Sequence, residues 1–157
     1  MKKLVTIAAA VMIVASAQAA QIGDTVESVV TIFDRIQVSP NTVADIAFVD
    51  VEDGVWSMSG SVNLFVQGPN GKIVFYAGGI TPDTIDATDG RTVFGSVTIW
   101  NGRVDPPIPV VSRDIDIVTP PHTTKRIYLS AWVYPSGFTP GNIQAYGFLS
   151  GRKIRNN

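Results

Sequence analysis

The sequence predicts an all-β fold: an antiparallel two-sheet sandwich, jelly roll in type, with about eight strands. Hydrophobicity alternates with period two along most of the chain beyond residue 19, turn dipeptides separate the alternating runs, and no segment there shows helical periodicity with caps. Regular short strands with turns between them favour a sandwich, and jelly roll is preferred to an immunoglobulin-like topology.

Residues 1–19 read as a secretory signal peptide. Met1-Lys2-Lys3 is a basic start and Leu4 to Val14 is an apolar run too short to span a bilayer comfortably. Ala17-Gln18-Ala19 has the small-x-small form that signal peptidase accepts, with Ala15-Ser16-Ala17 as a second choice. An uncleaved anchor is the competing reading, and the short run followed directly by small residues argues against it. Residues 20–157 then form a single sandwich domain, secreted or periplasmic, with no membrane span in the mature chain.

The clearest strand is Trp56 to Val66, where Trp56, Met58, Gly60, Val62, Leu64 and Val66 alternate with Ser57, Ser59, Ser61, Asn63 and Phe65. Its length predicts a bend or bulge near Gly60. Asp53-Gly54 and Gly68-Pro69-Asn70-Gly71 close its ends. Further strands read as Thr25 to Phe33, Asp45 to Val51, Lys72 to Ala77, Arg91 to Trp100, Val110 to Val118, Lys125 to Tyr134 and Asn142 to Ile154. Asp89-Gly90, Asn101-Gly102, Pro135-Ser136-Gly137 and Pro140-Gly141 are turn signals between them. Pro106-Pro107-Ile108-Pro109 belongs to a loop or an edge, because proline donates nothing to a ladder.

The chain has no cysteine, so the core alone must hold the domain. Removing Lys2 and Lys3 from twelve basic residues leaves ten against thirteen acidic, a formal −3, and no global basic field for nucleic acid. All the acids lie at or before Asp116, whereas Lys125, Arg126, Arg152, Lys153 and Arg155 make the tail purely basic. Neighbouring N- and C-terminal strands with offsetting charges explain this asymmetry.

Catalytic groups are sparse, and the chain reads as non-enzymatic with no cofactor. His122 is the sole histidine, set in the turn-like Pro120-Pro121-His122-Thr123-Thr124, and no G-x-S-x-G elbow is present. Asp83, Asp86 and Asp89 recur every third residue, a spacing that does not match the alternate acids of a calcium loop, so no metal site is expected there. A carboxylate-based glycan hydrolase is the enzymatic alternative, since the spacing of its two acids is spatial and invisible in a sequence.

The last two strands have two apolar faces. Ile127, Leu129, Ala131, Val133 and Ile143, Ala145, Gly147, Leu149 make one; Tyr128, Trp132, Tyr134 and Tyr146, Phe148 make the other. A sandwich buries one face of each sheet, so the aromatic face needs a cover: a long loop, another subunit, or a sugar or protein ligand. Trp132 and Tyr146 are expected between subunits of a homo-oligomer, a trimer in preference.

Thr123-Thr124-Lys125-Arg126-Ile127-Tyr128-Leu129-Ser130-Ala131 and Ala145-Tyr146-Gly147-Phe148-Leu149-Ser150-Gly151-Arg152-Lys153-Ile154-Arg155 resemble the C-terminal strands of short phage-encoded virion proteins. Gly54-Val55-Trp56-Ser57-Met58-Ser59-Gly60-Ser61-Val62 is similar to their G-x-W-x-V-x-G-x-V strand. Gly54-Val55-Trp56 and Tyr146-Gly147-Phe148-Leu149 are more distantly similar to tumour-necrosis-factor-like and complement-type jelly rolls. The resemblance implies a jelly roll, trimeric assembly through aromatic residues, and, as an alternative function, a virion or tail-associated structural or receptor-binding component. It departs from the phage pattern in carrying an export signal.

Overall fold

The computed structural model describes residues 20–66, 71–82, 92–99, 108–109, 115–136 and 143–157. Its strands are β1 (Thr25–Val30), β2 (Ile36–Gln37), β3 (Val43–Val51), β4 (Gly54–Val66), β5 (Gly71–Thr81), β6 (Thr92–Ile99), β7 (Ile108–Pro109), β8 (Ile115–Thr119), β9 (Lys125–Ser136) and β10 (Ile143–Arg155). One sheet runs β1-β10-β4-β7, with β2 continuing the β1 edge on β10 and β8 the β7 edge on β4; the other runs β3-β9-β5-β6. All pairings are antiparallel.

Counting β1/β2 and β7/β8 as two interrupted edge strands gives two four-position sheets. Apart from the β5 to β6 step, the chain changes sheet at each connection between these positions. This is the jelly-roll order, in which sequence neighbours face one another across the core and sheet neighbours are distant in sequence.

Period two decides which side chains enter that core. Trp56, Met58, Val62 and Leu64 of β4 are buried against Ile127, Leu129, Ala131 and Val133 of β9, with Ile143, Ala145 and Leu149 of β10 in the same cluster. The two inner faces and the alternation of β4 stand as the sequence predicts.

Several local expectations need correction. No bulge falls at Gly60: the ladder between β10 and β4 is unbroken from Ile143↔Val66 to Lys153↔Trp56, and its irregularity comes after Lys153. Gly60 serves close packing instead, since a Cβ there would lie 2.9 Å from the Phe148 carbonyl oxygen and 3.2 Å from Leu129 Cδ1. The first strand stops at Val30 rather than Phe33, where Asp34 N donates to Thr31 O and Thr31 Oγ1 to Asp34 Oδ2 to form a turn. β2, at two residues, is too short to show a period. Ile108–Pro109, the described part of the proline-rich stretch, lies at a sheet edge, with Pro109 opposite Asn63. β8 covers Ile115–Thr119, and residues 110–114 of the predicted strand lie outside the described residues.

The leader, Gly68-Pro69-Asn70, the aspartates at 83, 86 and 89, Asp89-Gly90, Asn101-Gly102, Pro106-Pro107, Gly137 and Pro140-Gly141 lie outside the described residues.

Candidate aromatic interface

The two aromatic rows belong to different sheets. β9 is central in one sheet and β10 in the other, so Tyr128, Trp132 and Tyr134 point away from the core on one side of the molecule while Tyr146 and Phe148 point away on the other. The expectation that Trp132 shares a patch with Tyr146 and Phe148 is corrected by this arrangement. Adjacent strands in sequence suggest a hairpin, whereas a jelly-roll connection carries the chain across the sandwich.

On the β9 side the row is extended by β3. Register pairs Phe48 with Tyr128, Asp50 with Arg126 and Val43 with Trp132. The Phe48 and Tyr128 rings are 6.3 Å apart and tilted by 54°, and the Arg126 guanidinium caps Phe48 at 4.1 Å from its centroid. Trp132 and Tyr134, two residues apart on one strand face, stack at 6.4 Å with 20° between their planes. Phe48 and Tyr134 are each 48% exposed.

Between Tyr128 and Trp132 in the row sits Ser130, fully buried although it faces outward, with Asp45 and Gly79 beside it on the neighbouring strands. Its hydroxyl donates to Asp45 Oδ1 at 2.6 Å. The Asp45 to Ala47 irregularity in β3 places that carboxylate opposite Ser130. Sequence reasoning missed Phe48, Asp45 and Ser130, since their neighbourhood depends on the β3–β9 pairing; the signal available was Phe48 sharing the parity of Asp50, opposite to that of Ala47, Val49 and Val51.

At the end of the row, Arg126 Nε and Nη2 donate to the two oxygens of Asp50, each at 2.8 Å. These bonds hold the Asp50 carboxyl below the ordinary carboxylate range and raise the Arg126 guanidinium further. A depressed carboxylate contributes stability above its unfolded pKa and loses it as pH falls through the folded value. Both groups are close to half exposed, so screening keeps the contribution small. Asp50→Asn should therefore melt slightly below the wild type at pH 7 in low salt, with the two curves converging below about pH 3, under the ordinary aspartate pKa. Differential scanning fluorimetry across pH checks this, and a difference that grows in acid would contradict it. The pair also neutralises one acid of the N-terminal half with one base of the tail, as the charge asymmetry predicts. β1 pairing with β10 brings the terminal strands together.

The opposite outer face is more polar. Ser57, Ser59, Ser61 and Asn63 of β4 lie across from Arg152, Ser150, Phe148 and Tyr146 of β10. Ser59 and Ser150 share a hydrogen bond at 3.0 Å between their hydroxyls. Phe148 is 39% exposed and pairs with Val29, itself 57% exposed.

His122 is exposed in the turn after β8, with φ of 55°. Among the described residues no three acidic or histidine side chains gather closely enough to hold a metal ion.

No protein-family model matches the chain, and no curated protein matches it. Among solved structures, infectious bursal disease virus VP2 in a subviral particle aligns with a TM-score of 0.48 and 14% identity over 97% of this chain and 37% of that one. The structure of the Gx strain of the same virus aligns at 0.47 and 18% identity, again over 97% and 37%. The chain thus spans little more than a third of the virus proteins it matches. These are virus structural proteins; the finer similarity to phage-type and tumour-necrosis-factor-like proteins is carried by the sequence motifs alone, and the jelly roll stands on the strand order described above.

Proposed function

We propose that the chain is an exported, non-enzymatic jelly-roll module that works as a subunit of a homo-oligomer, burying the outer aromatic face of β9 and β3 against another copy. The observation that supports this most is the row Phe48, Tyr128, Trp132 and Tyr134, which lines a sheet face that the chain itself leaves partly open. A solvated face of an antiparallel sheet is ordinarily polar, and aromatic side chains are the residues that dominate interface cores. Export supplies the compartment, and three subunits is the stoichiometry the sequence resemblance implies.

Trp132→Ala tests the reading. Association should weaken by about 2 kcal/mol or more per contact, while the inner face of β9 stays filled and the β-type circular dichroism is unchanged. Sedimentation equilibrium should then show a smaller species than the wild type. Because Phe148 lies on the opposite outer face, Phe148→Ala distinguishes geometries: it leaves the assembly intact if the β9 faces converge on a common axis, and weakens it equally if one face docks on the other face of the next copy. A wild type that is monomeric at micromolar concentration overturns the proposal.

A second reading is favoured by the near-parallel Trp132 and Tyr134 rings, which offer a flat apolar platform of the kind on which sugar rings stack. Quenching of Trp132 fluorescence by an oligosaccharide in a monomeric protein would support that reading over self-association.

A further inference from the structure

The residue that follows the Ala17-Gln18-Ala19 site is held at both its backbone nitrogen and its backbone oxygen. Ala20 N donates to Glu52 Oε2 at 2.8 Å, and Ala20 O accepts from Lys153 Nζ at 2.7 Å. Its methyl group packs against the core cluster. Lys153 is 3% exposed, so its ammonium is directed at this carbonyl from inside the sandwich.

The following residues are fixed as well. Gln21 N donates to Asp24 Oδ2 at 2.6 Å and Asp24 N to Gln21 O at 3.0 Å, closing a turn. That turn is tied to β10 on both sides, by Gly23 N to Lys153 O and Lys153 N to Asp24 O, each at 2.9 Å. Glu52 is anchored in turn, because its carbonyl accepts the Trp56 indole N–H at 3.0 Å.

Charge at this end is unbalanced. The clefts around Ala20 are lined by Asp24, Glu52 and Asp53, with Lys153 as the facing cation; Asp50, at the rim, is taken by Arg126. In an uncut chain Ala20 N is a neutral amide. Hydrolysis of the Ala19–Ala20 bond adds water across it: Ala19 leaves with the carboxylate and Ala20 keeps an amine, which takes up a proton. A cation then stands where the neutral N–H stood, 2.8 Å from a carboxylate. Charge-assisted hydrogen bonds are roughly twice as strong as neutral ones, and the site is partly desolvated.

We propose that the end of the sandwich formed by Glu52, Lys153 and the Gln21–Asp24 turn is a built receptor for the chain's own new N-terminus, so that removal of the leader after Ala19 locks the β1 edge onto β10 and β4. This rests on the export reading above. It predicts a single cleavage position, because an N-terminus two residues earlier would leave Ala20 N an uncharged amide.

The test uses full-length chains passed through a secretion pathway. Four are compared: wild type, Glu52→Gln, an insertion of one glycine between Ala19 and Ala20, and the insertion combined with Glu52→Gln. Glutamine keeps an acceptor and removes the charge; the glycine leaves the cut site in place but turns Ala20 N back into an amide. Mass spectrometry should give the wild-type product as residues 20–157. Glu52→Gln should lower the melting temperature by roughly 3–6 °C in the wild-type background and by about 1 °C in the glycine-extended one. Equal losses in the two backgrounds would show Glu52 to be a structural acceptor only and overturn the lock. An exported product beginning at Gln18 would also overturn it while leaving export intact. Retention of Met1 would overturn the export reading and the lock together.

Discussion

Gly147→Ala should leave the protein unable to fold at 37 °C, with a loss of about 3 kcal/mol or more in whatever fraction remains soluble. Gly147 faces the core from β10, opposite Val62. A Cβ built there falls on the Ser61 carbonyl oxygen, with Ser61 C at 3.0 Å and Val62 Cα at 3.1 Å. All three atoms are backbone of β4, the central partner strand, so relief requires moving a strand rather than turning a side chain. Gly151→Ala on the same face is the control. Its Cβ would meet Met58 Sδ at 2.6 Å and Cε at 3.0 Å, the far end of a flexible side chain, with Val26 Cγ2 at 3.1 Å. Urea denaturation should rank Gly151→Ala well above Gly147→Ala in midpoint. Equal midpoints would mean that the two strands separate more easily than their register suggests.

Most of the strands could be read from the sequence because one residue in two carries the message. The alternation of β4, the aliphatic face of β9 and the aliphatic face of β10 follow from parity alone, and the structure buries Trp56, Met58, Gly60, Val62 and Leu64 of β4 together with both aliphatic sets. Which strand lies beside which could not be read in that way. β10 pairs with β1 and β4, and β9 with β3 and β5, partners separated by long stretches of chain. Parity says that Trp132 and Tyr146 both face outward; only the pairing says that they face outward on opposite sides. The same gap hid Phe48 beside Tyr128 and the Asp45–Ser130 bond. Lys153 was within reach: continuing Ile143, Ala145, Gly147, Leu149 and Gly151 by two places puts it on the inner face, where it is found. Grouping it with a basic tail obscured this, because a charge is ordinarily assigned to solvent.

Trp56→Ala carries the second large effect, and comparison with Trp56→Phe separates its two causes. Trp56 is 1% exposed and lies on the inner face of β4 between Ile117 of β8 and Lys153 of β10. Truncation to alanine removes the largest buried side chain of the strand and opens a cavity at the end of the sandwich, which should lower stability by about 3–5 kcal/mol. Phenylalanine keeps most of the apolar volume but loses the indole N–H that bonds the Glu52 carbonyl at 3.0 Å. That loss should amount to about 1–2 kcal/mol, from one hydrogen bond and a small residual void. Because Glu52 also accepts from Ala20 N, Trp56→Phe loosens the turn that holds the N-terminal segment, whereas the core between β4 and β9 remains filled. Hydrogen exchange should therefore show earlier loss of protection in Thr25–Val30 than in Lys125–Ser136 for Trp56→Phe, and loss in both for Trp56→Ala. If phenylalanine destabilises as much as alanine, the indole bond rather than packing holds this end of the sandwich together.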